Sequence, residues 1–245
     1  MAEVVGAHGS HVATRRVRLW PLPLVAALLP VIATLVVLRL YAGQAAVPCN
    51  PFIDDCVSIS RMARQDAAIH LFRSLVLPAA VLQLLTWLAA ASALGAAGLA
   101  RRDVLMLMLF GTSAGVALVL YGSYLGSDGE VYRALRRWGT LIYFGGTYIA
   151  MVLFARAVHR LHAMQRLALP PQHRRVLLAL LAFIAAIGLG HAFVSLGPFD
   201  ELEDRIENLA EWWGASALML CFGVMSSLWQ RWSLVTTLAI QRPRC

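Results

Sequence analysis

The chain of 245 residues contains no lysine; all 21 of its basic residues are arginine. Acidic residues number only 13, and charged residues of both signs make up 14%. A water-soluble domain carries about a quarter charged residues, so that class is excluded. Cysteines number four, too few for a disulfide-stapled scaffold. No internal repeat, low-complexity tract or linker divides the chain. What fills it is apolar: 60% of its residues are hydrophobic and the mean hydropathy is +0.69.

Six runs are long enough to cross a hydrocarbon core, which takes about 20 apolar residues. They lie near Trp20–Tyr41, Phe72–Leu99, Val104–Gly126, Trp138–Val158, Val176–Leu196 and Asn208–Trp232. In hydrocarbon each must close its own backbone hydrogen bonds, which only helices do within one segment. The reading is therefore all-α: one domain over residues 1–245, a single bundle of six transmembrane helices with both termini cytoplasmic. The first run is longer than the apolar stretch of about 7–15 residues in a signal peptide, and is read as an uncleaved span.

The net charge of +8 and pI near 10.0 are shared unevenly between the two sides of the membrane. The inner segments hold Arg15, Arg16, Arg18, Arg101, Arg102, Arg156, Arg160, Arg166, Arg174, Arg175, Arg231, Arg242 and Arg244 against only Glu3 and Asp103, a net of +11. The outer segments hold the other eight arginines and eleven acids, a net of −3. This is the positive-inside bias, with inner arginines placed to meet anionic headgroups. Explained by topology, the basic charge gives no reason to expect a nucleic-acid partner. The lysine-free, Ala- and Arg-rich composition points to a GC-rich bacterial genome and hence to an inner membrane.

Polar chemistry concentrates on the outer side. Cys49 and Cys56 lie seven apart in the first outer loop, where an oxidising compartment favours a disulfide over two free thiols or a metal site. A short helix is expected from Ser60, with Ser60 as its N-cap, and Asp66, His70 and Arg73 then share a stripe. Glu207 and Glu211 stand one turn apart at the outer end of the sixth run, before Trp212 and Trp213. A carboxylate at that depth is expensive unless paired or wet; Arg136, Arg137 and Glu130, in another outer segment, are candidate partners. Such a cluster either pins helix ends at the interface or faces a ligand. Gly145, Gly146, Gly188, Gly190 and the small residues from Ala89 to Gly98 mark expected close-packing faces. His70 and His191 are too few to build a metal or haem site, and no cofactor is expected. Ser58, Ser60, Asp54, Asp55 and His70 offer hydrolase residue types, but neither G-x-S-x-G nor H-E-x-x-H occurs, which weighs against catalysis.

Three patches resemble the DRAM/Sfk/CWH-type family of six-span membrane proteins, which includes damage-regulated autophagy modulators and a GPI-anchor lipid-remodelling factor. Pro51-Phe52-Ile53-Asp54-Asp55 followed by Ser58 resembles the family's P-x-I-S-D loop after span one. Gly129–Thr147 resembles the opening of its span four, and Ile206–Gly223, centred on Glu211-Trp212, the Glu-Trp segment of its span six. The family's Pro-Pro-Glu after the loop Asp is replaced by Cys56–Ser60, and its second-span Asn has no counterpart near Leu75–Gln83. The resemblance implies lipid binding, lipid remodelling or control of leaflet asymmetry. The resulting expectation is a non-enzymatic protein whose partners are membrane lipids, bound by their headgroups at an outer pocket of Asp54, Asp55, Glu130, Arg136, Arg137, Tyr143, Glu207 and Glu211. The alternatives are an accessory subunit docking other membrane proteins through small-residue faces, and a lipid hydrolase or acyltransferase.

Overall fold

The computed structural model describes residues 13–43, 50–54, 56–65, 67–197 and 200–240. Six long helices dominate it: α1 (Pro21–Ala42), α3 (Ala68–Ala96), α4 (Arg101–Tyr124), α5 (Glu130–Ala163), α6 (Pro171–Leu196) and α7 (Asp200–Arg231). The short α2 (Ile59–Met62) lies between α1 and α3. All six long helices contain a segment apolar enough to cross a membrane. The all-α six-span bundle expected from hydropathy is thus present, and the chain is a multi-pass integral membrane protein.

Several helices outrun their hydropathy limits. The fourth, expected over 138–158, spans 34 residues, and the sixth, expected over 208–232, spans 32. At 1.5 Å per residue each is about 50 Å long, against a hydrocarbon core of about 30 Å. Their charged outer turns extend into the headgroup layer, where water accepts the charges that ended the apolar runs.

Consecutive helices pack side by side from α1 through α3 and α4 to α5, while α7 closes against α1 and carries α6. Outside the span pattern, β1 (Ala13–Arg18) pairs antiparallel with β2 (Val235–Ile240), Arg16 opposite Thr237 and Arg18 opposite Val235. This ribbon was not legible in the sequence. It ties the two ends of the described chain together on one side, the arrangement an even number of spans requires. Leu19 N–H donates to Leu234 C=O at 3.0 Å and the Ser226 hydroxyl to Trp20 C=O at 2.7 Å, continuing the tie into the bundle.

Two apolar clusters fill the bundle. The inner one centres on Trp87, Phe154, Phe222, Met225 and Trp229; the outer one on Val57, Met62, Phe72, Val76, Leu118, Tyr121 and Trp212. Where lipid is as apolar as a side chain, close packing rather than water exclusion holds helices together. The tightest case is α3 on α4: a Cβ on Gly111 would stand 2.3 Å from Trp87 Cγ. Gly146 likewise lies against Ala114 and the Phe110 carbonyl, each 3.2 Å from its would-be Cβ. The other three glycines expected at packing faces are different: a Cβ on Gly145, Gly188 or Gly190 would meet nothing within 4 Å. For Gly188 and Gly190 the reason is the placement of α6, whose buried side chains, Leu177 and Leu181, both lie in its first three turns.

Gly111→Ala is expected to destabilise the bundle by about 1–3 kcal/mol through overpacking against Trp87. Gly190→Ala should leave stability unchanged or raise it by up to about 1 kcal/mol. Thermal unfolding in one detergent compares them, and equal melting temperatures would refute the Trp87–Gly111 contact as a packing constraint.

Candidate functional site at the outer face

The first outer loop folds inward as a plug. Asn50 starts it, its side-chain oxygen accepting from Phe52 N–H at 3.1 Å and its carbonyl from Ile53 and Asp54 N–H at 3.0 and 2.8 Å. Asp54 closes the turn by accepting from Asn50 N–H at 2.8 Å. Ser58, in extended conformation, caps α2 by accepting from Arg61 N–H at 3.1 Å. The cap is therefore Ser58, not the expected Ser60; Ser60 already lies inside the helical turn and its polar groups go elsewhere. Val57, Ile59, Met62 and Ala63 are buried against the outer cluster.

Three consecutive residues of α7 grip this plug. Glu211 Oε1 accepts from Ser60 N–H at 3.2 Å, and Oε2 from the Ser60 hydroxyl at 3.5 Å, with Ser58 as a further donor. Trp212 Nε1–H donates to Val57 C=O at 2.8 Å, and Trp213 Nε1–H to Phe52 C=O at 3.1 Å. Phe52 meets both indoles edge-on, with centroids 5.1 and 5.2 Å away. Successive helical residues point about 100° apart, so three in a row can act together only because the loop wraps around the end of α7. Each also satisfies a backbone or hydroxyl group of the loop or of the first turn of α2 that lipid could not.

A second set of bonds secures the facing corner. Arg73 donates to Gly122 and Ser123 C=O, both at 3.0 Å, and to Leu125 C=O. Arg136 Nη1 donates to Tyr124 C=O at 3.2 Å and to Ser127 C=O. Both guanidiniums cap the C-terminus of α4, where orphan carbonyls and the helix dipole attract cations. Between the two sets sits buried Tyr121, within electrostatic reach of Glu211, Arg64 and Arg136. Arg64 reaches back through Nε to Ser60 C=O at 3.0 Å.

Of the expected site residues, Glu211 and Arg136 converge on this region, Arg136 through α4 carbonyls. Glu207, within electrostatic reach of Glu211, is exposed, as are Glu130 and Arg137 on α5. Asp54 is engaged in its own turn. Tyr143 is buried one turn inward from Gly139, its hydroxyl accepting from Gln83 Nε2–H at 3.4 Å. Asp55, Asp66 and Cys49 lie outside the described residues. Cys56 is disulfide-bonded, whereas Cys221 is a free buried thiol.

Sequence reasoning missed the pairing of Ser58 and Ser60 with Glu211, the part played by Arg64 and Tyr121, and the buried amide of Gln83. The signal was present for one of these: a Ser-x-Ser at a helix start offers two hydroxyls, and only one can cap. The hydroxyl of Ser58 is engaged by Arg61 N–H, Ser60 and Glu211, and among the described residues His70 makes no hydrogen bond, so the pair lacks the nucleophile–base contact a hydrolase needs. The chain matches no family model, no curated protein and no solved structure.

Glu211→Ala should raise amide hydrogen exchange at Ser60 and Arg61 about tenfold or more, because an unmet buried donor costs about 1–3 kcal/mol. Glu207→Gln, at an exposed carboxylate, should leave it unchanged. Unaltered exchange in the Glu211 variant would show that the plug is held by packing alone.

Proposed function

We propose that this membrane protein binds a lipid headgroup at its outer face and takes part in lipid handling or leaflet asymmetry. One observation carries the reading: buried Tyr121 lies within electrostatic reach of Glu211, Arg64 and Arg136, and the same loop–α7 clamp packs Phe52 against Trp212 and Trp213. Guanidiniums beside carboxylates and indoles form the chemistry that suits a zwitterionic or anionic headgroup at an interface. Arg64 has its terminal nitrogens without hydrogen bonds among the described residues, and it takes the phosphate-binding role. Exposed Glu207 and Glu130 stand ready to receive a headgroup amine. The two segments that carry the family resemblance, the first outer loop and the Glu-Trp stretch, meet through Glu211, Trp212 and Trp213. The bacterial inner membrane remains the proposed location, on composition.

A second reading, an accessory subunit, draws on α6. Its outer half exposes Leu189 and Phe193, each at 71%, and Leu196 at 89%, next to the open Gly188 and Gly190.

Native mass spectrometry after incubation with phosphatidylethanolamine or phosphatidylglycerol vesicles tests the first reading. One lipid adduct should be lost about tenfold in Arg64→Ala, the loss of one charge-assisted hydrogen bond, and should be weakened in Glu211→Gln. An adduct indifferent to both substitutions overturns the outer site; a stoichiometric polypeptide in its place selects the accessory subunit.

A further inference from the structure

The inner ends of α5 and α6 meet across a cleft of about 40 Å³. Its floor is apolar and buried: Val158 of α5, Leu177 of α6 and Leu169 of the connecting turn. Its rim is exposed and mixed, with His159 of α5 and Arg174 and Leu178 of α6. Arg174 stands in the first turn of α6 and Leu178 one turn further along the same face, so cation and apolar rim are stacked along the membrane normal. Arg175 follows Arg174 in sequence and is likewise exposed.

The cations of this rim have no acid to meet within the described chain. Asp103 is the one described carboxylate on the inner side, and it is paired with Arg160 at 2.6 Å. Among the described residues the side chains of Arg174, Arg175 and His159 make no hydrogen bond or ion pair, and Asp103 lies in a separate groove with Arg156 and Arg160. α6 is the least buried of the spans and leans on α7, so its seam with α5 is sparsely packed compared with its seam with α7.

From this juxtaposition we infer that the inner α5–α6 cleft binds an anionic glycerophospholipid of the inner leaflet, with its phosphate on Arg174 and the start of an acyl chain on Val158, Leu177 and Leu178. Charge complementarity selects the headgroup: basic pockets between spans on the cytoplasmic side suit anionic lipids. The apolar floor directly beside the guanidinium selects a lipid over a soluble anion or an acidic peptide, neither of which would cover Leu178. The bound lipid fills the seam that the protein leaves loosely packed and so fixes α6 in the bundle. This site is separate from the outer one, sharing neither a residue nor a leaflet with it.

The test uses full-length protein carrying Arg64→Ala, which removes the outer adduct, reconstituted in nanodiscs of equal parts phosphatidylcholine and phosphatidylglycerol. After exchange into mild detergent, native mass spectrometry should show one retained phosphatidylglycerol and no retained phosphatidylcholine. Adding Arg174→Gln should cut that retention about tenfold. So should Leu178→Trp, which keeps every charge and fills the cleft; if one variant fails to fold, the other decides. Equal retention of the two lipids, wild-type retention in the folded variants, or displacement of the lipid by inorganic phosphate or polyglutamate would each overturn the proposal. If the adduct persists while the Arg64-dependent one was never present, the outer reading fails and this one stands.

Discussion

Hydrocarbon offers no water to an orphan carbonyl or amide, and the irregular parts of this chain near the outer membrane face are organised around that constraint. The first outer loop gives its backbone to Glu211, Trp212 and Trp213, while the end of α4 gives its carbonyls to Arg73 and Arg136. At the other face, Trp20 C=O is met by Ser226, and Ala168 C=O by the Trp232 indole at 2.7 Å. Polar side chains that hydropathy marks as exceptions are thus the ones that let the chain turn between spans. The candidate site grows out of this role: Glu211 is held at membrane depth by the loop it holds.

The same economy explains the uneven packing. Trp87 against Gly111 and Gly146 against Ala114 bring α3, α4 and α5 into close contact, so van der Waals attraction can replace the missing hydrophobic drive. The glycines of α6 have no such neighbour. α6 stays peripheral, with its inner seam to α5 sparsely packed.

The charge asymmetry gives the two faces different chemistry. Acids and aromatic residues gather outside, around a folded loop; arginines gather inside, almost without acids. The two proposed lipid sites differ accordingly: the outer one rests on charges of both signs, the inner one on cations beside an apolar seam.

The six spans, their alternation and their orientation are all written in local runs of apolar residues and in the count of arginines, because bilayer thickness and charge transfer act on each segment separately. Glu211 and the Trp pair were legible for the same reason, as polar and aromatic residues at a span end. Their partners were not. Ser58 and Ser60 lie about 150 residues away in sequence from Glu211, and hydropathy carries no information on which loop reaches which helix. The terminal ribbon escaped notice because β1 and β2 make a strand pair only with each other, across the whole length of the chain. Likewise Gly111 and Gly190 look alike in sequence, and only the course of the neighbouring helix makes one a contact and leaves the other open. Local composition determined where the chain crosses the membrane; the tertiary structure decided which polar groups meet, since that depends on distances between segments that no single segment encodes.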